Sequence, residues 1–328
     1  MKAIYPTSSS WPTPPGGLTT LPPDEDFLGG RIADSLRAFN PRVKRPGGEY
    51  YLFVLEDGAT GEIVGTSGIA SRVGGFDPCY SYEIRAEKFT HLPLKIEKEI
   101  ATLHLKQEHR GPSEVCSLFL RPDRRQGRNG RLLSLARFLF IAAFRQRFTA
   151  TIIAELRGYV DAAGRSPFWD AVGRIFFEFE FYRADMLSGL GDKEFIADLM
   201  PKHPVYVAML DDDAREVIGL PHPTGRAAMK MLEKEGFRYE GYVDIFDGGP
   251  SMLARTDDVV SVANAQPRSV TGTPVDKGER ALIATGHLTD FRCCYGSRKV
   301  DGDSIAIDET GAATLRVGEG DRVWSVAK

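Results

Sequence analysis

The chain has 328 residues, 42% hydrophobic and 27% charged, with a formal net charge of -3. That is enough for one large or two ordinary cores, and it excludes a molecule that binds polyanions over its whole surface. No run approaches the ~20 apolar residues of a membrane span, and the most apolar helix, 132–144, is interrupted by Arg137.

Residues 1–16 are rich in Pro, Ser and Gly, have no apolar stretch of signal-peptide type, and are expected to be an extended or disordered stub. "TLPPDEDFLGGRIADSLRAF" follows as a cap and a helix, with Phe27, Ile32, Leu36 and Phe39 on one side. "YYLFVLED" and "ATGEIVGTSGIAS" form a hairpin, and "CYSYEIRAEKFTH" is a further strand. "EVCSLFL" is a buried strand that runs through "RPDRRQGRN" into a helix expected over 130–148, and "TATIIAELRG" is the next strand. "SPFWDAVGRIFFEF" and "KEFIADLM" are expected helices. In "GRAAMKMLEKEGFRYEGYVDIFDGG" a helix ends with Gly236 just beyond its C-cap and a strand follows. Beyond about residue 260 come short expected strands, "RALIATG", "DSIAIDE", "AATLRVG" and "DRVWSVA". The order implies an α+β fold with a mostly antiparallel sheet over 17–258 and a small β-rich region over 259–328.

Four cysteines, Cys79, Cys116, Cys293 and Cys294, have no metal spacing. Adjacent Cys293 and Cys294 make a poor disulfide pair, so reduced thiols and a cytoplasmic protein are expected. No His, Cys or carboxylate pair has the spacing of a zinc site, and no metal is expected.

The segment from Arg121 to Gly130 is chemically distinctive. A strand, a glycine-bearing turn and a helix N-terminus can direct backbone N–H groups at one anion, and eight arginines lie between Arg121 and Arg147 against one acidic residue, Asp123. The competing readings are a solvated Arg-rich helix start and a nucleic-acid patch. The run is short and lacks interleaved exposed aromatics, which disfavours nucleic acid. No Gly-Lys-Ser/Thr follows, so this is not a Walker loop.

This strand–turn–helix resembles the acyl-CoA site of the GNAT acyltransferase superfamily. Together with "SLFLRPDRRQGRNGRLLS", "RADMLSGLG", "LMPKHP", "VIGLPHPTG" and "IFDGGP", it is similar to the arginine N-succinyltransferase family over about 17–260. The resemblance implies a GNAT-like fold and transfer of succinyl from succinyl-CoA to the α-amino group of L-arginine, with ornithine an alternative. Arg125, Gly127, Arg128, Asn129 and Gly130 would then hold the CoA pyrophosphate. Arg128 stands where the family's first motif glycine falls, with Gly127 one place early. The family's succinyl-CoA-binding leucine falls on Leu118, and its proton-donating histidine on His222, between Pro221 and Pro223.

Substrate contacts are read from chemistry. A succinyl carboxylate calls for an arginine, Arg157 or Arg183; a guanidinium calls for carboxylates, with Glu155, Asp185 and Asp247 as candidates. His203 in "MPKHP" is a second histidine candidate, and Gly248-Gly249 is expected to make a tight turn. A structural ion pair or turn is an equally good account of each. The family carries a short strand and helix where this chain has its stub, so either the sheet lacks its first strand or the reading frame begins earlier. An exposed sheet edge would follow, and with it a homodimer or a heteromer with a related subunit. Two other readings stay open: a catalytically weak partner subunit, and a GNAT-like enzyme acting on another amine.

Overall fold

A computed structural model describes residues 20–22, 24–75, 78–189 and 194–328. The expected stub over 1–16 lies outside the described residues. The elements in order are α1 (Glu25–Ala38), β1 (Tyr50–Glu56), β2 (Ile63–Ala70), β3 (Cys79–His91), β4 (Ile96–Glu108), β5 (Ser113–Leu120), α2 (Asn129–Ala143) and β6 (Thr151–Glu155). Then come α3 (Pro167–Ala171), α4 (Arg174–Phe177), α5 (Phe181–Gly189), α6 (Glu194–Leu199), β7 (Val205–Tyr206), α7 (Asp212–Val217), α8 (Arg226–Lys234), β8 (Arg238–Val243) and β9 (Pro250–Arg255). The C-terminal part holds α9 (Val260–Asn264), β10 (Gln266–Val270), β11 (Glu279–Thr285), β12 (Cys293–Asp301), β13 (Ser304–Ile307), α10 (Glu309–Leu315) and β14 (Arg322–Ala327).

Local chemistry accounts for most of these. Asp24 caps α1 by accepting the Phe27 amide at 2.8 Å, with Glu25 and Asp26 in the first turn. Gly236 takes φ 95° past α8, and its amide and that of Phe237 bond back to Glu233 and Leu232 carbonyls. The expected helix over 166–179 is instead two short helices, α3 and α4, broken at Val172-Gly173, where a Cβ on Gly173 would lie 2.2 Å from the Trp169 ring. The helix expected to 148 ends at Ala143 and a turn follows. "AATLRVG" is not a strand: most of it lies in α10, which Asp308 caps by accepting the Gly311 amide at 2.7 Å.

The large sheet has the order β1-β2-β5-β6-β9-β8-β3-β4-β7, and the C-terminal strands close a barrel in the order β10-β13-β12-β11-β14. In the large sheet every pairing is antiparallel except β5 with β6. One core lies between α1, α2, α8 and α9 and strands β1, β2, β5, β6 and β9, and it takes in barrel residues Leu282, Ala284 and Val326. A second core joins β3, β4 and β8 to α3, α5 and α6. The barrel interior, with Ala281, Ile283, Ile305 and Val323, is a third. The edge strand β1 is flanked by α1, whose Ser35 hydroxyl accepts the Leu52 amide at 2.9 Å.

Candidate active site at the parting strands

The parallel strands β5 and β6 pair only at Ser113 with Ile152 and Glu114 with Ile153. Beyond those residues neither strand is the other's partner, and the sheet opens toward their C-terminal ends. Strand β5 bulges in the opened stretch. Thr66 faces Phe119 and Gly68 faces Cys116, so Ser67 stands against both Ser117 and Leu118. Ser117 adopts φ 51°, and Leu118 has no ladder partner on β2 or β6.

Several buried groups fix this bulge. The Ser117 hydroxyl is hydrogen-bonded to the Tyr50 hydroxyl and, at 2.6 Å, to that of Thr20. Thr66 Oγ1 donates to the Ser117 carbonyl at 3.1 Å. Arg137 donates to the Cys116 carbonyl at 3.1 Å and to Ser134 O and Oγ at 3.1 and 3.0 Å. Arg137 is 2% exposed and, among the described residues, has no carboxylate partner; burial lowers its pKa to about 10, so it remains charged at neutral pH. None of Tyr50, Ser117 and Arg137 was among the residues picked out for the site. The usable signal was the arginine interrupting the most apolar helix.

The glycine turn follows β5. Gly127 and Arg128 both take left-handed backbone, at φ 63° and 69°, and Arg128 caps α2 with no side-chain hydrogen bond to it. Arg125 Nε donates to the Leu120 carbonyl and Asn129 Nδ2 to that of Arg124, both at 3.1 Å, which fixes the loop. Among the described residues the backbone N–H groups of Gly127, Arg128, Gly130 and Arg131 have no acceptor. They lie at the positive end of α2. The arginines separate into two groups. Arg121 is ion-paired to Glu62 and Asp123, and Arg124 to Asp57 and Glu62, so both are committed within the protein. Arg125, Arg128 and Arg131 have no carboxylate partner among the described residues.

His222 comes to the end of β6 through the backbone. Its N–H donates to the Arg157 carbonyl at 2.7 Å, two residues past the strand. Its Nδ1 accepts the Thr224 amide at 3.3 Å and is 2.7 Å from Thr224 Oγ1. In the neutral ring this bonding places the proton on Nε2. Partial burial and the Arg157 charge lower its pKa from the ordinary 6.5.

The "DGG" segment is a tight turn, as expected, and it builds this corner. A Cβ on Gly158 would lie 2.2 Å from the Asp247 carbonyl oxygen, and one on Gly249 2.1 Å from that of Leu156. Gly248 takes φ 67°, and its carbonyl accepts the Gly219 amide at 2.8 Å, tying down the chain that leads to His222.

Arg157 sits in the same corner. It donates to both Asp185 oxygens at 3.0 and 2.9 Å, its Nε is 3.4 Å from Asp247 Oδ2, and its guanidinium lies 5.1 Å from the Phe181 ring centre. Asp185 and Asp247, read as carboxylates for a substrate guanidinium, thus hold a guanidinium of the protein itself. Asp247 is pushed up to about 8 by burial and by neighbouring Asp244, which burial also raises. Glu155 ends β6, half-buried and opposite Ser251. Arg183 is exposed on α5, over the Phe179 ring at 5.2 Å. His203 is not at this corner. It precedes β7, the far edge strand, and lines an open apolar pocket of about 500 Å³ with Phe176, Tyr206 and Met209.

All four cysteines are free. Among the described residues no cluster of three or more His, Cys, Asp or Glu could hold a metal, and no helix is long and apolar enough to cross a membrane.

Known proteins resemble this chain over most of its length. Residues 13–261 match the family described as arginine N-succinyltransferase beta subunit, and residues 266–327 match the C-terminal domain of the same subunit. The chain is 45% identical over 319 residues to an arginine N-succinyltransferase of Yersinia pseudotuberculosis, covering 95% of this chain and 91% of that one. It is 46% identical over 311 residues to an arginine N-succinyltransferase subunit beta of Pseudomonas aeruginosa, covering 94% and 91%. The solved structure of arginine/ornithine succinyltransferase subunit AI from Pseudomonas aeruginosa superposes with a TM-score of 0.84 at 36% identity, covering 94% of this chain and 91% of that one.

Proposed function

The chain belongs to the arginine N-succinyltransferase family, and on that premise we propose that it transfers succinyl from succinyl-CoA to the α-amino group of L-arginine, the first step of succinylating arginine breakdown. The observation that carries this reading is the placement of two features beyond the C-terminal ends of β5 and β6: unpaired amides at the Gly127–Arg131 turn and His222 beside Arg157. We take 17–258 as a GNAT-like transferase unit and 259–328 as its β-rich appendage. The relatives named as subunits support an assembly, either a homodimer or a heteromer with a related chain. A cytoplasmic location suits the reaction and its substrates.

In this reading the turn amides and the α2 dipole take the CoA pyrophosphate, with Arg125, Arg128, Asn129 and Gly130 around it. The thioester lies along the opened stretch of β5, where the backbone at Leu118 faces its carbonyl oxygen and stabilises the negative charge that forms there. The amine nitrogen attacks the carbonyl carbon. Neutral His222 takes the proton that the new ammonium must lose at Nδ1, its one unprotonated nitrogen, by way of the Thr224 hydroxyl 2.7 Å away. The C–S bond then breaks, and the Nε2 proton passes to the sulfur, so the amide and the free thiol leave with charge balanced. A lowered pKa suits this order, because the resting ring must be neutral to accept. Asp185 and Asp247 hold Arg157, so the Arg157 guanidinium acts on His222 and reaches a succinyl carboxylate only by exchanging partners. Arg183 and Glu155 are the remaining candidates for substrate charge, and His203 enters only as a peripheral contact.

Thiol release from succinyl-CoA and acetyl-CoA, with arginine and ornithine as acceptors, tests the proposal. Succinyl-CoA with arginine should be the preferred pair. His222→Ala should lower kcat by ~10²–10⁴ while CoA affinity holds. The acid limb of the wild-type pH profile should lie below 6.5, because protonated His222 cannot accept. Absence of thiol release with every pair would favour the catalytically weak partner subunit instead.

A further inference from the structure

The C-terminal barrel presents one face to α2. Leu282 and Ala284 of β11 belong to the core that contains the α2 side chains, and Cys293 and Tyr295 of β12 pack against it. Alternate residues, Ala281, Ile283 and Cys294, point into the barrel. By the two-residue period of a strand, Arg280 shares the α2-facing side with Leu282, and Tyr295 is the ladder partner of Leu282. Arg280 lies over the Tyr295 ring at 5.1 Å. The Tyr295 hydroxyl is closed off from solvent yet has no hydrogen-bond partner among the described residues. Burial raises the Tyr295 pKa, while the charges of Arg131, Arg128 and Arg280 oppose that rise, so guanidinium groups from the α2 N-terminus act on the same hydroxyl as the barrel's own Arg280.

None of the three has a carboxylate partner among the described residues, although acidic side chains are near. Glu279, next to Arg280, is turned the other way and pairs with Arg298 at 2.9 Å. Three unpaired cations around one buried hydroxyl repel one another unless an anion joins them. The turn amides stand at the α2 N-terminus, where a diphosphate approaches the backbone. The barrel group belongs to the face that Leu282, Ala284 and Tyr295 present to the α2 core. A phosphomonoester carries close to two negative charges at neutral pH and takes several guanidinium donors, with a hydroxyl as a further donor.

We propose that the barrel forms the second wall of the coenzyme site and that Arg280 and Tyr295, with Arg128 and Arg131, hold the ribose 3′-phosphate of CoA. This rests on the reading of the chain as a CoA-dependent transferase, and it gives the C-terminal region a role in ligand binding.

The experiment is titration calorimetry of the full chain with CoA and with dephospho-CoA, which lacks only that phosphate. Wild type should bind CoA at least ~10-fold more tightly than dephospho-CoA. Arg280 is exposed, so Arg280→Gln should fold normally. It should weaken CoA by ~5–20-fold and leave dephospho-CoA unchanged. Tyr295→Phe should do the same to a smaller degree, and Arg280→Lys should recover part of the loss. Equal weakening of both ligands by Arg280→Gln, as a merely structural role would produce, overturns the assignment. So does a variant with wild-type affinity for CoA. In either case an intact wild-type thiol release leaves the transferase reading standing, whereas a wild-type chain that binds neither ligand removes both.

Discussion

Replacing Arg128 by glycine separates two contributions of one residue. Arg128 holds φ 69° and ψ 16°, a conformation that costs a non-glycine residue about 1 kcal/mol and glycine almost nothing. Its side chain makes no capping bond and no ion pair among the described residues, so the free protein loses little with it. Arg128→Gly should therefore leave the unliganded chain as stable or more stable, by at most ~1 kcal/mol, since glycine also frees the unfolded chain. In the complex the same change removes one cation from the phosphate group. A charge-assisted contact of this kind contributes ~1–2 kcal/mol, so CoA should bind ~5–30-fold more weakly. Urea unfolding of the free chain measures the first effect and calorimetry with CoA the second. Repeating the titration at low and high salt adds a check, because a lost phosphate contact gives the variant a shallower salt dependence. If the glycine variant binds CoA more tightly, the arginine is an intruder in the turn, and the weak partner-subunit reading gains.

The bulge at Ser117 should respond to backbone preference. Ser117→Gly can keep φ 51° and should retain much more activity than Ser117→Val, which should lose ~1–3 kcal/mol of stability and most of kcat; equal activity in the two would disconnect the bulge from catalysis. The Asp244–Asp247 pair should make stability depend on pH. Burial and neighbouring Asp244 hold the Asp247 carboxyl above its ordinary 3.8 in the folded chain, so the folded state keeps a proton that the unfolded chain gives up, and stability should fall as pH rises above 3.8 through the folded-state titration. Asp244→Asn should flatten the decline measured by urea unfolding at pH 5.5, 7 and 8.5, and a wild-type stability that climbs across this range would contradict the assigned direction.

Elements with strong local signals were legible in the sequence. The α1 cap, the Gly236 stop, the β1–β2 hairpin and the bounds of β3 follow from residues within a few positions of each other. Strand β4 was not anticipated. Its first half, "IEKEI", alternates charge rather than burial and is paired mainly with β3, with Lys88 and Glu99 4.0 Å apart across the ladder. The run "AATLRVG" is too short for its apolar pattern to tell helix from strand. The Asp308 cap and Arg316 at φ 55° decide it, and a left-handed arginine leaves no glycine to mark the helix end. At the site, the turn was visible because its chemistry is written in adjacent residues, whereas His222 was picked out only through the family resemblance. The ion pairing of Arg157, the bulge at Ser117 and the packing of the barrel strands against the α2 core join residues far apart in the chain, and no spacing rule reports them.

The departures in the turn bear on whether this is a working subunit. Displacing the glycine to position 127 would disable the cradle only if the loop then failed to expose its amides. Instead Gly127 and Arg128 both adopt the left-handed conformation, and among the described residues the N–H groups of Gly130 and Arg131 in the first helical turn have no acceptor. The rest of the site is held with similar care. Buried Arg137 fixes the Cys116 carbonyl ahead of the bulge, and the "DGG" turn fixes both the end of β6 and the approach to His222. A chain whose only duty is to stabilise a partner has no use for a guanidinium buried behind β5 or for two carboxyl groups buried together near Arg157, since both cost stability. Their presence favours the active transferase, and it places the cost where the proposed chemistry needs rigid backbone and a neutral imidazole.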